Sequence, residues 1–276
     1  MTANRSNPWA GKTLGLIGAG NMGEALIRGA VGGGVIEPAA ILACDPLAGR
    51  RAVFADLGCG VASDFREAAK RDVILLAVKP QTFRTVAEEL AACMPPAALV
   101  LSIAAGVTAA SLESALPGRA RVVRIMPNTP LTVGMGMSAV ARGAYAGDED
   151  AALALALFSA AGKAVEVEEA LLDAVTALSG SGPAYLFHFA EALIAGGEGI
   201  GLPSGLSNML AVQTLRGAAE MLARGGDPAD LRRRVASPGG TTAAALAVFE
   251  DRGFVAIVEE ALRAACKRGE ELGGGT

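Results

Sequence analysis

The chain carries a single histidine, His188, and beyond residue 165 a single lysine, Lys267. Oxidation of an alcohol or hydroxy acid needs a general base, ordinarily one of those two residue types. His188 lies in AYLFHFAEAL among aromatic and aliphatic neighbours and reads as a packed helix residue rather than a catalyst. The four cysteines, Cys44, Cys59, Cys93 and Cys266, show no CxxC spacing. They suggest neither a disulfide framework nor a metal site, and are expected to be reduced and structural. No run reaches the roughly 18 consecutive apolar residues of a membrane span, and MTANRSNPWAGK lacks an apolar targeting core. A cytoplasmic protein without a membrane partner is expected. Basic blocks are absent too, and the net charge of −4 argues against nucleic acid as a partner. The Arg232-Arg233-Arg234 triplet reads as a solvated helix face beside Asp227 and Asp230.

What is present is apolar bulk: 276 residues, 52% hydrophobic and 19% charged. That length predicts two domains and ample core. Between Gly11 and Val167, β-rich runs alternate with alanine-rich stretches of helical length, the pattern of βαβ units. Strands are expected at Thr13–Ile17, Ala40–Cys44, Val73–Val78, Leu99–Ile103, Val122–Ile125, Met137–Ala141 and Ala164–Val167. Most are apolar throughout, as parallel strands covered on both faces should be. From Glu168 onward the strand signals stop, and 168–178, 184–199, 204–223, 228–235, 241–250 and 253–272 read as helices. The expected organisation is an α/β, Rossmann-like doubly wound sheet over 1–165 and an all-α domain over 166–276. The apolar excess of that helical half suits a subunit interface.

LGLIGAGNMGEALIRG places Gly18, Gly20 and Gly23 in G-x-G-x-x-G spacing after one strand and at the opening of a helix. The first glycine permits the tight turn, the second lets backbone approach a pyrophosphate, and the third lets helix and strand pack closely. Asp45 ends the second strand, 22 positions after Gly23. A carboxylate there would accept the adenosine ribose hydroxyls and repel a 2′-phosphate, which leans towards NADH over NADPH. Arg50 and Arg51 lie near enough to offset its charge. AVKPQ at 77–81 and SIAAGV at 102–107 fall at the carboxyl ends of later strands, the ligand edge of such a sheet. Lys79 reads there as a positioning residue rather than a catalyst. Reduction of a C=N bond suits this inventory, because an iminium carbon is already electrophilic and solvent can protonate the nitrogen. A hydrogen-bonding hydroxyl would suffice.

The helical half supplies two glycine- and hydroxyl-rich loops, SGSGPAY (179–185) and SPGGTT (237–242). Each leads into a helix whose first-turn N–H groups and dipole favour a carboxylate. Ordinary capping would explain one Ser or Thr, not two such loops.

IGAGNMGEAL, LAVKPQ, SIAAGVT, RIMPNTP, ALSGSGPAYLF, GLP, AVQTLRGAAEML and SPGGTTAAAL together resemble the pyrroline-5-carboxylate reductases, over residues 13–272. The resemblance implies reduction of 1-pyrroline-5-carboxylate to L-proline, the last step of proline synthesis, with NADPH or NADH. It implies a homodimer with interlocked C-terminal helices, often assembled into a larger ring, and a monomer that is inactive. The cofactor residues it implies are Ile17, Gly18, Ala19, Gly20, Asn21, Met22, Gly23, Asp45, Ala77, Val78, Lys79, Pro80, Ala104 and Ala105. The substrate carboxylate would sit on Gly239, Gly240, Thr241 and Thr242 with Ser237, and the Thr242 hydroxyl would serve the ring nitrogen as the catalytic group. Two positions depart from the family pattern: Asp45 replaces a small hydroxyl residue, and Phe65 stands where an asparagine often contacts the cofactor.

Overall fold

The computed structural model describes residues 7–78 and 80–273. Its strands are β1 (Leu14–Ile17), β2 (Ile41–Cys44), β3 (Gly60–Ala62), β4 (Val73–Leu76), β5 (Leu99–Ser102), β6 (Arg121–Met126), β7 (Gly136–Arg142) and β8 (Gly162–Glu166). They form one sheet in the order β3-β2-β1-β4-β5-β6-β7-β8. β1 pairs in parallel with β2 on one side and β4 on the other. The winding therefore reverses beside β1, and a crevice opens there at the carboxyl ends of the strands.

The period-two pattern of the strands accounts for two covered faces. Leu14 and Leu16 of β1, Leu75 of β4 and Leu99 and Leu101 of β5 enter one core with Leu26, Ile27, Phe54 and Phe158. Ile17, Ile74, Leu76 and Val100 enter the other, with Phe83, Leu90 and Leu112. All are buried, each Leu, Ile or Phe stabilising the fold by about 1.5–3 kcal/mol. The covering helices are α1 (Asn21–Gly32), α2 (Ala48–Asp56), α3 (Pro80–Ala91), α4 (Ala109–Ala115) and α5 (Asp148–Ser159). Trp9 seals one rim, donating its indole N–H to the Leu153 carbonyl at 2.9 Å.

Two strand features differ from the sequence reading. β7 runs antiparallel to β6, and β8 then follows β7 in parallel. The 127–135 connection is shorter than the roughly dozen residues that a parallel crossover requires. The sequence reading also lacked β3, a three-residue edge strand that pairs with β2.

Contacts divide the chain into two compact units. One comprises the residues up to Ser181 with those from Ala265 onward, and the other is Gly182–Ala264. Residues 167–181 stay with the sheet because Leu172 is buried against Ala139 and Ala141 of β7. The expected single helix over 168–178 is instead a short turn (Glu169–Leu171), α6 (Leu172–Val175) and a π-helical turn (Thr176–Gly180). The helical unit holds α7 (Gly182–Gly199), α8 (Ser204–Ala223), α9 (Pro228–Val235), α10 (Thr241–Asp251) and the start of α11 (Phe254–Gly273). α7 and α8 approach closely where Gly197 faces Ser207, whose hydroxyl donates to the Ile194 carbonyl at 2.8 Å.

Within this unit only Ser207 and Ala211 are buried. Leu186, Phe187, Met209, Ile257 and Val255, the last 78% exposed, leave broad apolar faces uncovered in a single chain. Such faces mark an interaction surface. His188 is not packed as the sequence reading had it: its side chain is 86% exposed and lies 3.1 Å from Glu191. The apolar residues that surround it in sequence are themselves surface residues here. Arg232, Arg233 and Arg234 form an exposed face of α9, where Arg233 pairs with Asp230. No helix among the described residues is long and apolar enough to cross a membrane.

Candidate active site

The glycine loop between β1 and α1 is shaped by three different constraints. Gly18 has φ +94°, and a Cβ there would lie 2.6 Å from the Ala77 carbonyl oxygen. Gly23 is packed on the strand, where a Cβ would meet the Gly18 carbonyl at 3.2 Å and Leu16 at 3.3 Å. At Gly20 a Cβ would meet nothing within 4 Å, so this backbone lies open to a ligand. Gly20 also caps α1 without any side-chain hydrogen bond. The first-turn N–H groups of Asn21, Met22 and Gly23 have no intrahelical partner, which makes this terminus an anion seat. Ile17, Ala19 and Gly23 are buried, so they can serve a ligand only through backbone. Asn21 is exposed and Met22 half-buried.

Asp45 has a role that spacing did not reveal. Its Oδ2 accepts the Ala19 N–H at 3.0 Å and its Oδ1 the Leu47 N–H at 2.9 Å, stapling the glycine loop to the end of β2. Each carboxylate oxygen keeps acceptor capacity beyond these bonds. Arg51 donates to the carbonyls of Asp45 and Pro46, both at 2.8 Å. Arg50 donates through Nε to the Ala19 carbonyl at 2.6 Å and pairs with Glu24 at 2.9 Å. Glu24, the one acid in the first turn of α1, is thus neutralised where an anion would bind. The hydrogen bond from Arg28, aided by that from Arg50, holds its carboxyl below the usual range against the opposing desolvation. Phe65 packs against the second core cluster.

The neighbouring strand ends share this edge. Ala77 follows β4 and donates to the Ile17 carbonyl at 2.9 Å, and Val78 is half-buried beside it. Lys79 lies outside the described residues, and Pro80 opens α3. After β5, Ala104 is buried with its N–H on the Ser102 hydroxyl at 3.3 Å, while Ala105 is exposed. The loop that follows is braced by Glu169, missed in the sequence, whose Oε1 accepts the Ala109 N–H at 2.7 Å and pairs with Arg124 at 2.5 Å. Arg124 is 12% exposed and Glu169 33%, so this clasp is only partly shielded from water. The open Gly20, the uncapped helix and the staple fit a dinucleotide pyrophosphate and its ribose. A depression of about 550 Å³ lies instead at the amino ends of β4–β6, where Arg121 pairs with Asp150 at 2.6 Å and Asp72 is held by Thr13.

SPGGTT, in the helical unit, builds a second uncapped terminus. Gly239 has φ +70°, and Gly240 caps α10 with no side-chain hydrogen bond. Gly240 donates to the Ser237 carbonyl at 3.0 Å, which closes the turn. A Cβ on Gly240 would lie 2.6 Å from the Ser237 hydroxyl oxygen, so only glycine lets that hydroxyl sit over the helix end. The intrahelical bonds begin with Ala244 to the Gly240 carbonyl at 3.1 Å. Thr241, Thr242 and Ala243 therefore present first-turn N–H groups, and no acidic residue stands in that turn. Thr242 is half-buried and Ser237 and Thr241 are exposed. This terminus can seat a small carboxylate with two hydroxyl types beside it.

Comparison with known proteins decides the family. Over 264 residues the chain is 46% identical to the pyrroline-5-carboxylate reductase of Pseudomonas aeruginosa, covering 94% of this chain and 96% of that one. The chain belongs to the pyrroline-5-carboxylate reductase family. Residues 169–272 match the family described as pyrroline-5-carboxylate reductase dimerisation, and 13–106 match NADP oxidoreductase, coenzyme F420-dependent. A solved reductase of this family from Coxiella burnetii superposes with a TM-score of 0.89 at 34% identity, covering 95% of this chain and 98% of that chain. That of Plasmodium falciparum, solved with NADP bound, gives 0.84 at 31% identity over 95% and 98%. Membership accounts for the apolar faces of the helical unit, since the matched family over 169–272 is a dimerisation region.

Proposed function

We propose that this protein reduces 1-pyrroline-5-carboxylate to L-proline, using NADH or NADPH bound at the carboxyl edge of the sheet. The observation that carries the reading is the α10 terminus. A glycine cap, a hydroxyl held over it and an acid-free first turn make a seat for a substrate carboxylate, in a chain 46% identical along its length to a reductase of that name.

The dinucleotide would lie on Ile17, Gly18, Ala19, Gly20, Asn21, Met22 and Gly23, with Ala77, Val78, Lys79, Pro80, Ala104 and Ala105 flanking its nicotinamide. When bound, it supplies the hydride. Gly239, Gly240, Thr241 and Thr242 would seat the substrate carboxylate on backbone N–H groups with Ser237 assisting. Thr242 would place its hydroxyl against the ring nitrogen and hold the imine for attack at carbon. No side-chain base is needed, which agrees with the scarcity of histidine and lysine. Asp45 would accept the adenosine ribose hydroxyls with the lone pairs its backbone bonds leave over, and its charge favours NADH.

The active unit would be a homodimer of interlocked C-terminal helices in the cytoplasm, with larger rings built from such dimers. Residues 1–165 would bind the dinucleotide and 166–276 the substrate and the second copy. The test is NADH or NADPH oxidation with 1-pyrroline-5-carboxylate, repeated with a six-membered cyclic imine acid and, in reverse, with a β-hydroxy acid. Turnover confined to the five-membered imine supports the reading, and turnover of the hydroxy acid alone would overturn it.

A further inference from the structure

The reading above assigns no part to Asn128, whose carboxamide is bonded on both sides at the ligand edge. Asn128 follows β6, at the same edge of the sheet as Gly18–Gly20, Ala77–Val78 and Ala104–Ala105. Its carboxamide joins three segments. Oδ1 accepts the Met137 N–H at 2.9 Å, at the start of β7. Nδ2 donates to the Ser179 carbonyl at 3.2 Å and lies 3.3 Å from the Ser179 hydroxyl. Its backbone carbonyl also accepts the Leu131 N–H at 3.2 Å, which starts the turn leading to β7.

Ser179 belongs to the π-helical turn Thr176–Gly180, inside the SGSGPAY loop. A π turn is less stable than α-helix and persists where outside contacts favour it, often at functional sites. Here the Ser181 N–H reaches back to the Thr176 carbonyl at 2.8 Å, and the Thr176 hydroxyl bonds the Leu172 carbonyl at 2.7 Å. Gly180 completes the fit: a Cβ there would lie 2.5 Å from the tip of Met126, two residues before Asn128. The end of β6 and the π turn are thus matched twice, by apolar contact through Met126 and by hydrogen bonds through Asn128. One residue beyond Ser181, α7 begins the helical unit.

We propose that Asn128 is a positioning residue for the reaction: by tying the π turn to the end of β6, it fixes the Ser179–Ser181 backbone at the ligand edge of the sheet. It touches neither substrate nor cofactor in this role. The proposal rests on the reductase reading for its kinetic consequence alone, since the lock itself can be observed without any substrate. Asparagine suits the position because the site needs an acceptor for the Met137 N–H and a donor for Ser179 in one planar group. Aspartate keeps the acceptor and turns the donor into an anion facing a carbonyl.

The test is Asn128→Asp and Ser179→Ala in the full-length protein, with three readouts. Hydrogen exchange at the Ser181 amide should rise at least about tenfold in Asn128→Asp while amides of β1 and β4 keep their rates. kcat/KM for 1-pyrroline-5-carboxylate should fall about 10- to 100-fold, with the NADH or NADPH dissociation constant changed less than about twofold. Ser179→Ala keeps the carbonyl contact and should lose no more than about threefold, so it still tests the ordering if Asn128→Asp folds poorly. Unchanged exchange at Ser181 would overturn the lock. Equal losses in cofactor affinity and in kcat/KM would overturn the positioning role. If the wild-type protein does not reduce the imine at all, the function reading fails, while the exchange result still stands or falls by itself.

Discussion

Replacing Thr242 by alanine separates chemistry from folding unusually well at this site. Thr242 stands in the first turn of α10, but the cap is Gly240 and no side chain caps that terminus, so the Thr242 hydroxyl is free of a capping duty. Alanine is also the better helix former, by up to about 0.7 kcal/mol. The variant should therefore melt at or slightly above the wild-type temperature. Its kinetic loss follows from a single hydrogen bond to the ring nitrogen. At about 0.5–1.5 kcal/mol for a neutral bond, kcat/KM for the imine falls roughly 2- to 13-fold, and at about 1.5–3 kcal/mol for a bond to the iminium the loss reaches roughly 13- to 160-fold. The assay is initial-rate NADH or NADPH oxidation against imine concentration, with cofactor dissociation constants from fluorescence titration and Thr241→Ala as the neighbouring control. Unchanged kcat/KM in Thr242→Ala would refute the assignment, as would an equal loss in Thr241→Ala.

Three further outcomes are expected. Asp45→Ser should shift the ratio of kcat/KM values towards NADPH by about tenfold or more, and should cost about 1–3 kcal/mol because the Ala19 and Leu47 N–H groups lose a charged acceptor, read as the denaturant midpoint. Gly18→Ala combines a backbone φ of +94° with a Cβ 2.6 Å from the Ala77 carbonyl; a cost of at least about 2 kcal/mol lowers Tm by about 4–8 °C, measured by calorimetry. Glu24 and Asp72 have folded-state pKa values lowered from their ordinary 4.5 and 3.8, Glu24 first by its bond from Arg28 and Asp72 first by the Thr13 hydroxyl. Their contribution is therefore fully present above those ordinary values and is lost as pH falls through the lower folded ones. Tm should decline on acidification below about pH 4.5, and Asp72→Asn should flatten the lower part of that decline.

The strands were legible because their chemistry is local and repetitive. Leu-Gly-Leu-Ile, Val-Ile-Leu-Leu and Leu-Val-Leu-Ser must be covered on both faces, and that alone implies a parallel sheet. Gly60-Val61-Ala62 has no such run, so the edge strand could be found only from its partner. The reversed direction of β7 was implicit in a short connection, a geometric fact that an apolar pattern does not carry. The single helix expected over 168–178 ends instead in a π turn, held by contacts with Asn128, 51 residues away in sequence, that no local pattern carries. The glycine loop declared itself by spacing, whereas the bonds of Asp45 to Ala19 and Leu47 join side chain to backbone and leave no periodic trace. Composition around His188 signalled apolar contact, and it misled about burial because those apolar groups face outward from a single chain.

The central claim is that the α10 terminus binds a carboxylate carried on a cyclic imine. Comparing 1-pyrroline-5-carboxylate with 1-pyrroline, which keeps the reacting C=N bond and lacks the carboxylate, tests it most directly. With the wild-type protein and saturating NADH or NADPH, kcat/KM for the carboxylate-bearing imine should exceed that for 1-pyrroline by about 100-fold or more, the worth of charge-assisted bonds at a helix terminus. Equal values for the two imines would contradict the account.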